Sequence, residues 1–148
     1  MMQTDREQEV KRALTSYEEY VQEVKDYEDQ IIFGSKDIDI TGVHGTGISD
    51  PSAKKAMALA DMPRYLQRKR SWIEAIDDGL EELSRMDNGN KKGLRFICTR
   101  MYGIPTKNVA LGTVRISIEC NMSRSAIYSR LQTINNVMMF HAAAKGLL

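Results

Sequence analysis

VRISIECNMSRSAIYSRLQTINNVM, residues 114–138, divides at one polar turn into two helical stretches. Asn121 tolerates the left-handed backbone of a tight turn, Met122 fills the angle between the helices, and Ser123 can accept free amide hydrogens of the helix after it. The stretch therefore reads as a short helix to about Glu119, a turn at Cys120-Asn121-Met122 and a long helix capped by Ser123, which is a helix-turn-helix. At about 100° per residue, Ile127, Leu131, Ile134 and Met138 fall in one sector and form the predicted core face. Ser125, Tyr128, Ser129 and Gln132 lie opposite, flanked by Arg124 and Arg130. Short hydroxyls allow close approach to a groove, Tyr128 and Gln132 carry groups that can read base edges, and the arginines can reach phosphate or guanine. A strand reading competes at the start of the stretch. Thr113–Glu119 alternates in polarity, so a small β-hairpin pairing Asn108–Leu111 with Val114–Ile118 around Gly112-Thr113 is the alternative to the first helix.

Charge points the same way as the turn. The formal net charge is only +1, yet residues 1–50 hold five Lys/Arg against twelve Asp/Glu, residues 51–90 hold seven of each, and residues 91–148 hold nine against one. A 58-residue segment whose one acid is Glu119 attracts polyanions. Lys107 and Arg115 join Ser123, Arg124, Ser125, Tyr128, Ser129, Arg130 and Gln132 as the candidate DNA-contacting set, and double-stranded DNA is the expected partner.

Upstream, the pattern is that of two long helices. Thr4-Asp5-Arg6-Glu7 forms a capping box, and Val10, Leu14, Tyr17, Val21, Val24 and Ile31 step by four and three, with Glu28 breaking the series. Residues 34–50 hold four of the ten glycines and read as a flexible loop that ends the first helix near Phe33. The run Gly42–Gly47 lacks the strand and helix a phosphate cradle needs, and His44 within it reads as solvent-facing. Asp50-Pro51 starts the second helix. Leu59, Met62, Leu66, Lys69, Ile73, Ile76, Leu80 and Leu83 form its seam, and Pro63 kinks or restarts it. The two seams, each about 35 Å long at ~1.5 Å per residue, pair within the chain as an antiparallel hairpin or between chains as a homodimer. Arg64, Arg68, Lys69 and Arg70 read as a solvated face or as partners of the acidic first helix, at Glu18, Glu19, Glu23 and Asp26, ahead of a second DNA contact. After the turn Asp87–Asn90, a further helix from about Lys91 to Tyr102 buries Leu94, Ile97, Cys98 and Met101 and ends at Gly103. The expected fold is all-α: a long-helix pair over residues 1–86 and a basic helix-turn-helix domain over 91–148.

The helix ending RMYG, the NMSRSAIYSRLQTI segment and the tyrosine-rich YEEYVQEV in a long-helical half resemble the RinA/ArpU family of phage transcription activators, whose tail is similar to the promoter-binding region 4 of sigma factors. The resemblance implies a regulator that activates late phage or prophage genes, binds promoter DNA and helps recruit host RNA polymerase. It places the DNA-reading helix on Ser123, Arg124, Ser125, Tyr128, Ser129 and Gln132. Two features depart from the family. GIPTKNVALGT, residues 103–113, is a long connection, and Arg130 stands where an apolar residue is usual, leaving the packing to Leu131.

Other classes fare worse. No apolar window approaches the roughly 20 residues that cross a bilayer, and MMQTDREQEV has no signal core, so a cytosolic location is expected, which the resemblance to phage activators makes the host bacterial cytoplasm. Two cysteines and two histidines make neither a disulfide framework nor a four-ligand zinc site. No acidic pair in the basic third suits magnesium, and Cys98, Cys120 and His141 have no legible acid partner, so neither enzyme, metal nor cofactor is expected. His141 reads as closing the last helix, where a cation is favourable. The runner-up function is a small terminase-like DNA-packaging subunit that oligomerises through its helices, and the third is an adaptor that binds an acidic protein.

Overall fold

The computed structural model describes residues 2–40 and 62–148, with side chains for 5–31 and 62–148. Every regular element among them is helical: α1 (Met2–Thr15), α2 (Tyr17–Ile40), α3 (Arg64–Asp87), α4 (Leu94–Tyr102), α5 (Thr113–Cys120) and α6 (Arg124–Ala144), with a 3-10 turn at Lys107–Val109. The all-α expectation holds for the described residues, and the β-hairpin alternative over Asn108–Ile118 does not. Gly112 takes an extended backbone ahead of α5 and accepts from Ile116 N at 3.0 Å. Ile116 is buried, whereas Val114 and Ile118 are exposed. The alternation that resembled a strand therefore supplies only one inward residue.

The first predicted helix is interrupted. Thr15 Oγ1 donates back to Lys11 O at 2.8 Å, a bond that bends helices, and Ser16 separates α1 from α2. α1 starts at Met2, so the Thr4–Glu7 box lies inside the helix and not at its head. α2 runs to Ile40, past the stop expected at Phe33. The Gly42–Gly47 run, His44, the Asp50-Pro51 cap and Leu59 lie outside the described residues. Pro63 restarts the chain: α3 begins at the next residue, and Leu66 N and Gln67 N both donate to Pro63 O.

The compact units are Met1–Glu19 with Ser71–Leu148, and Tyr20–Arg70. The division expected between 86 and 91 is not where the chain divides. Buried area is the reason, for α1 packs on α6 and α4 and seals Val10, Ala13 and Leu14. Each fully buried side chain of that size contributes roughly 1.5–3 kcal/mol, except the smaller alanine. The later part of α3 docks beside α6. A Cβ on Gly79 would lie 2.4 Å from Met138 Sδ, so any larger residue there requires the flexible end of Met138 to shift. Glu82 meets His141 at 3.1 Å and Glu74 meets Lys145 at 3.5 Å. Trp72 and Ala75 are buried beside the predicted seam while Ile73 is half-exposed, as expected of a helix with a broader buried sector than a two-stranded coil.

In the Tyr20–Arg70 unit, Val24, Met62 and Leu66 are buried. Lys69 pairs with Glu23 and lies 5.6 Å and 5.5 Å over the rings of Tyr20 and Tyr65. The polar intruder in the seam thus finds an acid of the first helix.

Candidate nucleic-acid interface

The site is assembled by three local devices. Asn121 adopts φ 55, ψ 47, and its N–H together with that of Met122 closes the end of α5 on Ile118 O and Ser117 O. Ser123, in extended conformation, accepts Ala126 N at 3.2 Å and starts α6. α4 starts after Gly93 with Leu94 N and Arg95 N donating to the Asp87 carboxylate at 2.6 and 3.0 Å, and it ends at the left-handed Gly103. That start is three residues later than Lys91. The helix buries Leu94, Ile97 and Cys98, with Met101 only half-buried.

α6 has the two faces its sequence called for. Ile127, Leu131, Ile134 and Met138 are buried, and Ser123, Arg124, Ser125, Tyr128, Ser129, Arg130 and Gln132 are exposed, Tyr128 to 54%. Arg130 points outward and Leu131 supplies the packing. Arg124 and Arg130 form no ion pair with any described residue. Asn135 is the one buried polar residue among those described, and its Oδ1 accepts Tyr102 OH at a long 3.4 Å.

Three candidates are already engaged. Gln132 Nε2 donates to Glu7 Oε1 and Asn136 Oδ1, each at 3.2 Å. Lys107 pairs through Nζ with Glu19 at 2.8 Å, and its backbone N–H donates to Glu18 Oε2 at 2.9 Å. The Glu19 carboxylate holds the Lys107 ammonium above its usual pKa. Arg115 pairs with Glu119 at 3.5 Å. Lys107 is therefore tied to α2.

Further cations, absent from the candidate set, lie on the turn before α4 and the start of that helix. Lys92 Nζ donates to Glu119 O at 3.0 Å and lies 3.9 Å from its carboxylate, which fastens the turn before α4 to the end of α5. A recess lined by Asp87, Asn90, Leu94, Met122 and Arg130 joins the same turn to the start of α6. Lys91 and Arg95 are exposed on this turn and on the first residues of α4. Their signal was present as cations flanking the Asn88–Asn90 turn, but only the tertiary arrangement brings that turn to Met122.

The whole unit is nearly neutral, with thirteen Lys/Arg against twelve Asp/Glu. The acids are placed unevenly. Glu74, Asp78 and Glu82 meet Lys145 and His141 at the end of α6, which at ~1.5 Å per residue lies about 24 Å along the axis from Ser125. Screening at physiological salt acts over ~8 Å, so those carboxylates do not cancel the field at Arg124. His141, for which the sequence offered no acid partner, has one in Glu82.

No known protein family model, curated protein or solved structure matches this chain. No helix among the described residues is long and apolar enough to cross a membrane.

Proposed function

We propose that this chain is a sequence-specific DNA-binding transcriptional regulator, an activator of phage or prophage late genes acting in the host bacterial cytoplasm, in which α5, the turn and α6 form a helix-turn-helix. One observation carries the reading. The first turns of α6 present Ser125, Tyr128 and Ser129 away from the buried Ile127, Leu131, Ile134 and Met138, with the exposed, unpaired Arg124 and Arg130 flanking them. A helix entering a major groove needs that division, with small residues for approach, side chains for base edges and cations for phosphate. The capped N-terminus adds free amide hydrogens and a positive helix end, both favourable toward phosphate. The resemblance of NMSRSAIYSRLQTI to the RinA/ArpU activators adds the promoter and the polymerase as expected targets.

The long helices are read as a hairpin within one chain. Within one compact unit Tyr17 OH donates to Asp77 Oδ1 at 2.7 Å, and within the other Glu23 pairs with Lys69, contacts that support pairing inside the chain.

Gel-shift titration against cognate and random duplexes tests the function. Arg124→Ala should weaken binding to both DNAs alike and lower the slope of log K against log salt by about one, as expected for a single phosphate contact. Tyr128→Ala should narrow the gap between cognate and random DNA. Equal loss on both duplexes for Tyr128→Ala overturns base readout by this face.

A further inference from the structure

Resting on the base-reading role proposed above, we propose that Glu7 is a specificity-determining residue that turns the Gln132 side chain into a hydrogen-bond acceptor toward the major groove. The Gln132 amide has two N–H hydrogens and one carbonyl. An ionised carboxylate only accepts hydrogen bonds, so the amide nitrogen must face Glu7; the flipped amide would set oxygen against oxygen. The second hydrogen goes to Asn136 Oδ1, one turn along α6. Both donors are consumed, at 3.2 Å each. Gln132 is exposed, and its carbonyl accepts from no described residue.

The usual glutamine–adenine pairing is bidentate: the amide donates to N7 and the carbonyl accepts from N6. Here the donating half is spent inside the protein. The remaining carbonyl takes a hydrogen equally well from adenine N6 or cytosine N4 and meets only acceptors on guanine and thymine. Gln132 therefore reads adenine or cytosine without telling them apart. Glu7 has the position to impose this because α1 is anchored by Val10, Ala13 and Leu14 against α6 and α4. It touches no base itself.

The test starts with sites selected from random duplex DNA by the intact protein, with Gln132→Ala marking the base position this residue reads. Affinities are then measured for four duplexes differing at that position. The wild-type protein should bind the adenine and cytosine duplexes within about twofold of each other and ahead of the other two. Glu7→Ala frees the amide and should favour adenine over cytosine by about fivefold to tenfold, within the discrimination of one good bidentate pair. Glu7→Gln can donate as well as accept, so it no longer fixes the amide orientation, and its adenine-to-cytosine ratio should fall between those of the wild type and Glu7→Ala. A wild-type protein that already favours adenine, an unchanged adenine-to-cytosine ratio in Glu7→Ala, or a Gln132→Ala protein with the full wild-type preference each overturns the assignment while leaving DNA reading by α6 intact. Absence of any base preference in the wild-type protein overturns the regulator reading itself.

Discussion

Cys98 and Tyr102 sit one helical turn apart on α4, where burial decides their chemistry. Burial pushes the Cys98 thiol up from 9.0 to about 12. It also pushes the Tyr102 phenol up from 10.0 to about 12, with the nearby Cys98 adding to the effect and the Asn135 bond opposing it. Both groups are acids whose neutral form is favoured by folding. Their contribution to stability is complete below the ordinary values and is lost as pH rises through the folded ones. The urea midpoint should therefore fall between pH 9 and 12, and Cys98→Ala should remove the thiol's part of that decline. A Cys98→Ala midpoint with the same decline as wild type would contradict this. The sequence marked Cys98 as a small apolar residue correctly. It could not show the phenol beside it, because Tyr102 faces a partner on α6.

α6 carries both the core and the candidate reading surface, so substitutions on its two faces should separate. Leu131→Ala removes a buried side chain and should cost about 2–5 kcal/mol, whereas Ser129→Ala, two residues away on the exposed face, should stay within about 0.5 kcal/mol. Thermal melts of the two variants measure the difference, and similar losses would mean that the faces are wrongly assigned. This element was legible in advance because its information is local: Ser123 caps, Asn121 turns, and the 3.6-residue period sorts the rest. The predicted seam of α3 held only in part. Heptad spacing identifies residues along a helix but not the number of neighbours it packs against, so Trp72 and Ala75 were passed over and Ile73 was overrated.

At the scale of the molecule, α1 and the later part of α3 belong to the unit that holds α5 and α6. A fragment of residues 91–148 would expose the surfaces that Val10, Leu14, Trp72, Ile76 and Leu83 cover. It should be largely unfolded by circular dichroism and lack dispersed amide resonances, whereas the full chain unfolds cooperatively. A fragment that folds and melts sharply would restore the boundary at residue 91. The long connection over residues 103–113 has a structural use: its Lys107 clasps Glu18 and Glu19, and Leu111 N donates to Arg100 O at 2.6 Å.

The amino-acid order by itself determined the long helix α6 with its cap, the turn before it, its inward face and the segregation of charge, since each depends on residues within a few positions of one another, whereas the choice of helix over hairpin at Thr113–Cys120 came from the structure. The tertiary structure alone decided that Glu7 would hold Gln132, that Glu19 would neutralise Lys107, and that the Asn88–Lys92 turn would stand beside the start of α6. Those pairings join residues separated by 27 to 125 positions. Their energies depend on which apolar surfaces pack first, and no local period encodes that choice.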